Sequence, residues 1–95
     1  MTSPPELYAL IPTLEKWIRL LFHLRITGFN GWRDEDEQGL LADLLHVALE
    51  RAKNLKDLPE PYRSERLVLL WKALPHERLK QLFGDLYEVS DPRRR

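Results

Sequence analysis

The chain contains no cysteine among its 95 residues and has no net charge at neutral pH. Without cysteine there is no disulfide framework, no thiolate metal site and no thiol nucleophile, so packing of apolar side chains must supply the stability. The 15 lysines and arginines balance the 15 aspartates and glutamates, so no overall field concentrates the protein on nucleic acid or an anionic bilayer. These absences fit a protein of the reducing cytoplasm.

Long apolar runs are also missing. The longest have four or five residues, far short of the roughly 20 that span a bilayer. Residues 1–6 show no basic start followed by an apolar segment, so no secretory signal is visible. We therefore expect a cytoplasmic protein without a membrane partner.

Leucine-rich helical periodicity fills most of the chain instead. Ser3 and Glu6, and again Asp34 and Glu37, have the spacing of a capping box and predict helix starts. Pro12 predicts a kink or break near Ile11, after a short helical lead-in. We expect four main helices, at residues 12–25, about 35–54, from 61 or 63 to 74, and from 75 to about 90, with residue 84 a tolerated weak point.

These segments predict an all-α fold: a compact bundle of four main helices with a short N-terminal helical lead-in and no sheet. Residues 1–92 form one domain, and residues 93–95 form a disordered basic tail. Helices 1 and 2 are expected to run antiparallel across a loop rich in glycine. Helix 3 is apolar almost all round, which is typical of a helix at the centre of a core.

Helices 1 and 2 each have an apolar arc of about 200°, although an outer helix of a monomeric bundle needs little more than about 100°. The surplus predicts a partner surface, with Phe22 and Leu49 at the flanks of the two arcs. Phe29 and Trp32 lie in the loop between the helices. They either fold back as a lid on the core or stay exposed as anchors for a partner.

No constellation for catalysis is visible. Asp43, His46 and Glu50 share one helical face, but a di-iron bundle needs a second such motif on a facing helix, and the chain has none. His23 and His76 are read as surface residues. The serines stand where helices start or end, and no glycine loop has the spacing that binds phosphate. We expect no enzyme activity, no cofactor, no metal and no small-molecule substrate.

A nucleic-acid role is the alternative. Residues 73–83 read ALPHERLKQLF, which resembles the opening of the helix-turn-helix region of bacterial sigma-type factors, where a similar Leu-Pro step starts a helix. The resemblance covers about eleven residues, Glu77 interrupts their basic face, and we expect no recognition helix to follow. The candidate contacts are Arg63, Arg66, Arg78, Lys80, Arg93, Arg94 and Arg95.

The sequence thus favours a non-catalytic protein–protein interaction module, a small adaptor, regulator or assembly subunit that acts through a broad apolar helix face. Its partner is another protein, itself as a homodimer, or both. The alternative is a nucleic-acid-associated helical subunit of a larger complex, which uses helix 4 and the arginine tail.

Overall fold

The structure, a computed structural model, describes residues 5–90, and within that range every regular element is a helix. The all-α prediction is confirmed. The described part measures 43 × 26 × 20 Å. Ser3 of the first predicted capping box and the tail at residues 93–95 lie outside the described residues. The helices are α1 (Leu7–Ile26), α2 (Glu37–Leu55), α3 (Tyr62–Ala73), α4 (His76–Phe83) and α5 (Asp85–Ser90).

Of the predicted kink or break at Pro12, the break does not occur: the lead-in and the first main helix form one helix, α1, that runs through Pro12. Pro12 is exposed, so its ring lies on the outer side of the helix. Leu10 before it and Leu14 after it are both fully buried. A single helix keeps both leucines in the core, and their burial outweighs the backbone hydrogen bond that proline removes.

The second predicted capping box does not form: α2 begins at Glu37, and its N-cap residue, Asp36, makes no side-chain capping hydrogen bond. The Asp34 carboxylate accepts a hydrogen bond from the Asp36 amide at 2.9 Å. The Glu37 carboxylate reaches back to accept one from the Arg33 amide at 2.8 Å. Both donors are backbone amides that precede the helix, so the two carboxylates order the chain leading into α2 and do not cap its first turn.

The core lies along α1 and α2, which contact each other more extensively than any other pair of helices. The expectation that helix 3 is central is wrong. Only Leu67 and Trp71 of α3 are buried, whereas Leu69 is 64% exposed and Leu70 is half-buried. A short helix covers one side of the longer pair, so one of its apolar faces stays in contact with solvent. Helix α1 buries six residues: Leu7, Leu10, Thr13, Leu14, Trp17 and Leu21.

The C-terminal segment also differs from the prediction of one continuous helix. Gly84 has φ of 56° and ψ of −128°, a conformation that residues with a Cβ rarely adopt, and α4 ends there. The chain then turns into the short helix α5. This turn directs Tyr87 and Ser90 into the core.

Polar contacts attach the C-terminal helices to α1. The indole Nε1 of Trp17 donates a hydrogen bond to Ser90 Oγ at 2.8 Å, and Ser90 Oγ donates to the Tyr87 carbonyl at 3.1 Å. The ring of Trp17 stacks with those of Tyr87 and Trp71, with centroids 5.3 and 6.3 Å away. Both tryptophans are therefore core residues.

Candidate interaction surface

An apolar stripe remains uncovered on the outside of α1. Phe22 is 57% exposed and Ile26 is 66% exposed, and they stand one turn apart on the same face. The same face continues toward the N-terminus with Ile18, four residues before Phe22, and Ile11, eleven residues before it. Both are half-buried. We call these four residues the α1 surface. The structure thus leaves Phe22 accessible.

Leu49, the second predicted flank residue, is half-buried and packs against the core. The exposed apolar residues of α2 lie elsewhere, at Leu40, Leu44 and Val47. Their spacing of four and three residues puts them on one side of the helix. The exposed apolar surface of α2 therefore consists of these three residues and does not include Leu49.

The loop aromatics fold back onto the core. Phe29 and Trp32 are both half-buried and meet edge to face with ring centroids 5.0 Å apart. Gly31 permits this arrangement, because a Cβ at that position would collide with the ring of Phe29. The sequence left open whether these two residues cover the core or stay exposed. In the structure they cover it.

Arg78, a predicted nucleic-acid contact, is instead bound to Glu37 on another helix. Its Nε and Nη2 donate to the two carboxylate oxygens of Glu37 at 2.7 and 2.8 Å. Nη2 also donates to the Gly31 carbonyl at 2.9 Å, and Nη1 donates to Gln81 Oε1 at 3.1 Å. One guanidinium thereby joins α4, the loop and the start of α2.

The electrostatics of this pair follow from its geometry. The hydrogen bonds from Arg78 lower the pKa of Glu37 to about 2, although burial acts in the opposite direction. The same contact raises the pKa of Arg78. Both groups are mostly shielded from solvent, so the paired charges attract strongly and are held in one geometry.

Two further predicted basic contacts also have carboxylate partners. Arg63 Nε donates to Glu60 at 2.9 Å, and Ser64 donates to the other oxygen of the same carboxylate. The hydrogen bonds from Ser64 and Arg63 lower the pKa of Glu60. Lys80 lies 3.8 Å from the carboxylate of Glu77 and 5.6 Å from the ring centroid of Tyr87.

Arg66 is different, because it lines an open groove between α2 and α3 of about 700 Å³. Arg51 lines the same groove from α2. Both arginines are exposed, and within residues 5–90 neither forms an ion pair or a hydrogen bond through its guanidinium. Helical periodicity does not reveal this groove, since it indicates which face of a helix is apolar but not which helix lies beside it. The remaining lining residues are Asn54, Leu55, Leu58, Leu69, Leu70 and Ala73.

The histidines do not assemble a site. Asp43, His46 and Glu50 are all exposed on α2. Nowhere in residues 5–90 do three or more His, Asp or Glu side chains cluster closely enough to hold a metal ion. His76 is half-buried rather than a surface residue, with Nδ1 2.9 Å from the Tyr87 hydroxyl and Nε2 2.7 Å from the Trp71 carbonyl.

No protein-family model matches the chain, and comparisons with curated proteins and with solved structures likewise give no match. None of the helices within residues 5–90 combines the length and apolar character needed to cross a membrane.

Proposed function

We propose that this protein is a non-catalytic protein–protein interaction module that acts through exposed apolar helix surfaces and forms a homodimer. The observation that supports this most directly is the α1 surface. Single exposed apolar residues are common on monomers, but adjacent ones on one helical face mark surfaces that bind other proteins. Phe22 and Ile26 are adjacent in this sense, and Ile18 extends them toward the core.

Self-association is the simplest way to cover this surface. In a two-fold dimer the same patch faces itself, so it must tolerate its own chemistry. The four residues of the α1 surface are all apolar, and the carboxylate that shares their face is Glu15, four residues after Ile11 and three before Ile18. Burial of a large aromatic side chain such as Phe22 at the centre of an interface is typical of residues that dominate binding energy.

The non-catalytic part of the proposal rests on what the titratable side chains do. Glu37 is held ionised by Arg78, and both ring nitrogens of His76 lie within hydrogen-bond distance of other groups of the protein. These contacts support a structural role. We propose a cytoplasmic location on the sequence alone, because the chain has no cysteine.

A nucleic-acid role receives less support. Among the predicted contacts that the structure describes, Arg63, Arg78 and Lys80 have carboxylate partners, which reduces the positive charge available to phosphates. The helix that follows α4 carries Asp85 and Glu88, which a recognition helix for DNA would not favour. The arginines at 93–95 lie outside the described residues.

Light scattering coupled to gel filtration tests the proposal. At micromolar concentration we expect twice the 11.3 kDa mass of one chain. Phe22→Asp should give the monomer, because a carboxylate in the middle of the interface would lose its hydration. The matched control is Leu86→Asp, since Leu86 is 50% exposed but lies on α5, and this variant should stay dimeric.

Circular dichroism should show both variants folded. A monomeric wild type, or a dimer that Phe22→Asp leaves intact, would overturn the homodimer through the α1 surface.

A further inference from the structure

The groove between α2 and α3 combines an apolar floor with two unpaired cations. Leu55, Leu58 and Leu70 line it alongside the more exposed Leu69, and Arg51 and Arg66 contribute one guanidinium from each helix. Carboxylates elsewhere in the described chain pair with Arg63, Arg78 and Lys80, yet none is within ion-pair distance of these two arginines. The groove therefore lacks the negative charge that would complement it.

The exposed stripe of α2 extends this groove along the helix. Leu40, Leu44, Val47 and Arg51 follow one another at intervals of four, three and four residues, so they lie on one side of α2. From Leu40 to Leu55 the helix rises roughly 22 Å, about four helical turns. An elongated apolar surface of this length fits a helix better than a compact ligand.

From these observations we propose that the groove binds an acidic amphipathic helix of another protein. The inference rests on the proposed interaction function and names the chemistry of one partner. Helix-in-groove recognition uses apolar anchors spaced by three and four residues, which match the leucines of the floor. Glutamates or aspartates beside those anchors would pair with Arg51 and Arg66.

The same features disfavour other occupants. A second copy placed on this groove by a two-fold axis would bring four unpaired arginines together, and like charges at an interface are repulsive. The arginines at the C-terminal end of the sequence have the same sign as the groove. A nucleic-acid backbone would satisfy the guanidiniums but has nothing apolar to place on Leu55, Leu58 and Leu70.

Selection from a displayed library of helical peptides tests the proposal. The library holds peptides of about 16 residues, long enough to cover the groove. Selection uses the intact wild-type protein, with counter-selection against the double variant R51E/R66E. We expect enrichment of peptides with leucine-type residues at helical spacing and with Asp or Glu beside them. Enriched peptides without acidic residues, or no enrichment at all, would overturn the proposal.

Affinity measurements with the selected peptide then distinguish the charge of the groove from the net charge of the protein. R51E/R66E should weaken binding by at least about tenfold, whereas K53E/K72E should leave it within about twofold. The control makes the same charge change on the same two helices, at exposed lysines that do not line the groove. Equal losses in the two double variants would mean that net charge, and not the groove, governs binding.

An apolar pair of variants completes the test. Leu69→Asp should abolish binding of the selected peptide, and Val89→Asp should preserve it, because the two residues are 64% and 67% exposed but only Leu69 lines the groove. A DNA duplex labelled with fluorescein is used as a competitor of the peptide. If the duplex binds the wild type, displaces the peptide and no longer binds R51E/R66E, the groove is a nucleic-acid site and the proposal is wrong.

These outcomes are independent of the dimer test. The groove variants leave the α1 surface unchanged, so loss of peptide binding with the dimer intact refutes only the groove. A monomeric wild type that still binds acidic helices refutes only the homodimer.

Discussion

The α1–α2 pair and the C-terminal helices α3, α4 and α5 reach stability by different means. The pair consists of two long helices that bury leucines along their whole length, including Leu10, Leu14 and Leu45. The later helices are shorter, and each buries only two or three residues. Polar contacts of Arg78 and Ser90 attach α4 and α5, and the stacking of Trp71 on Trp17 attaches α3. Leucines buried along the whole length of α1 and α2 form the core of this protein. Contacts of a few side chains determine where the shorter helices lie on that core.

The largest expected effect comes from the α1–α2 pair. Leu14→Ala should lower the free energy of unfolding by about 3 to 5 kcal/mol, because the side chain is fully buried and its loss leaves a cavity. Urea denaturation followed by circular dichroism measures the change. A loss below about 1 kcal/mol would show that the core relaxes around this site and would remove the contrast between the two halves.

An intermediate effect is expected from the contact between the halves. Removing the charge of Glu37 in the variant Glu37→Gln should cost about 2 kcal/mol at pH 7, because it leaves the shielded guanidinium of Arg78 without its counter-charge. Urea denaturation at several pH values tests this. Arg63 and Glu60 provide the comparison, since Glu60→Gln removes a more exposed pair and should cost under about 1 kcal/mol.

The effect of Glu37 should depend on pH with a defined sign. Its pKa in the folded protein, about 2, lies below its ordinary value of 4.5, so the ionised form is favoured by folding. The stability it contributes is complete above about pH 4.5 and disappears as the pH falls toward 2. The difference between wild type and Glu37→Gln should therefore shrink over that range. A constant difference would mean that the carboxylate acts by shape and not by charge.

The smallest effects are expected in α3. Leu70→Ala should cost about 1 kcal/mol and Leu69→Ala less than about 0.5 kcal/mol, because Leu70 is only half-buried and Leu69 faces solvent. Thermal melts of Leu69→Ala, Leu70→Ala and Leu14→Ala measure the order of their stabilities. From the sequence alone Leu70→Ala would be expected to cost about 2 to 5 kcal/mol. If it is as damaging as Leu14→Ala, α3 is central after all.

The predicted helix bounds were accurate where the apolar periodicity agreed with the residues that start and end helices. Helices α2 and α3 begin and end within about two residues of their predicted bounds. The predicted lead-in is not separate from the first main helix, since local rules record the hydrogen bond that Pro12 removes but not the core contacts of Leu10 and Leu14 that hold the helix together. The end of α4 at Gly84 was not predicted, for a related reason. A glycine is compatible with a helix, and only the burial of Tyr87 requires the chain to turn there.

The candidate site was predicted only in part. Phe22 is accessible, as the sequence suggested, because the width of an apolar arc is visible in one helix alone. The arginines could not be sorted in the same way. Arg66 and Arg78 are both basic residues on polar faces, yet one lines an open groove and the other is bound to a carboxylate 41 residues away. The difference depends on which helix lies opposite, and no local pattern records it.

By itself the sequence determined the helical class and the approximate bounds of α2 and α3, since these follow from spacing along a single chain segment. The tertiary structure decided which helix is central, which charges are paired and where apolar surface stays exposed. Those properties arise because side chains distant in sequence compete for the same limited interior. A fully buried Trp17 that bonds to Ser90 and a solvent-facing Leu69 are outcomes of that competition.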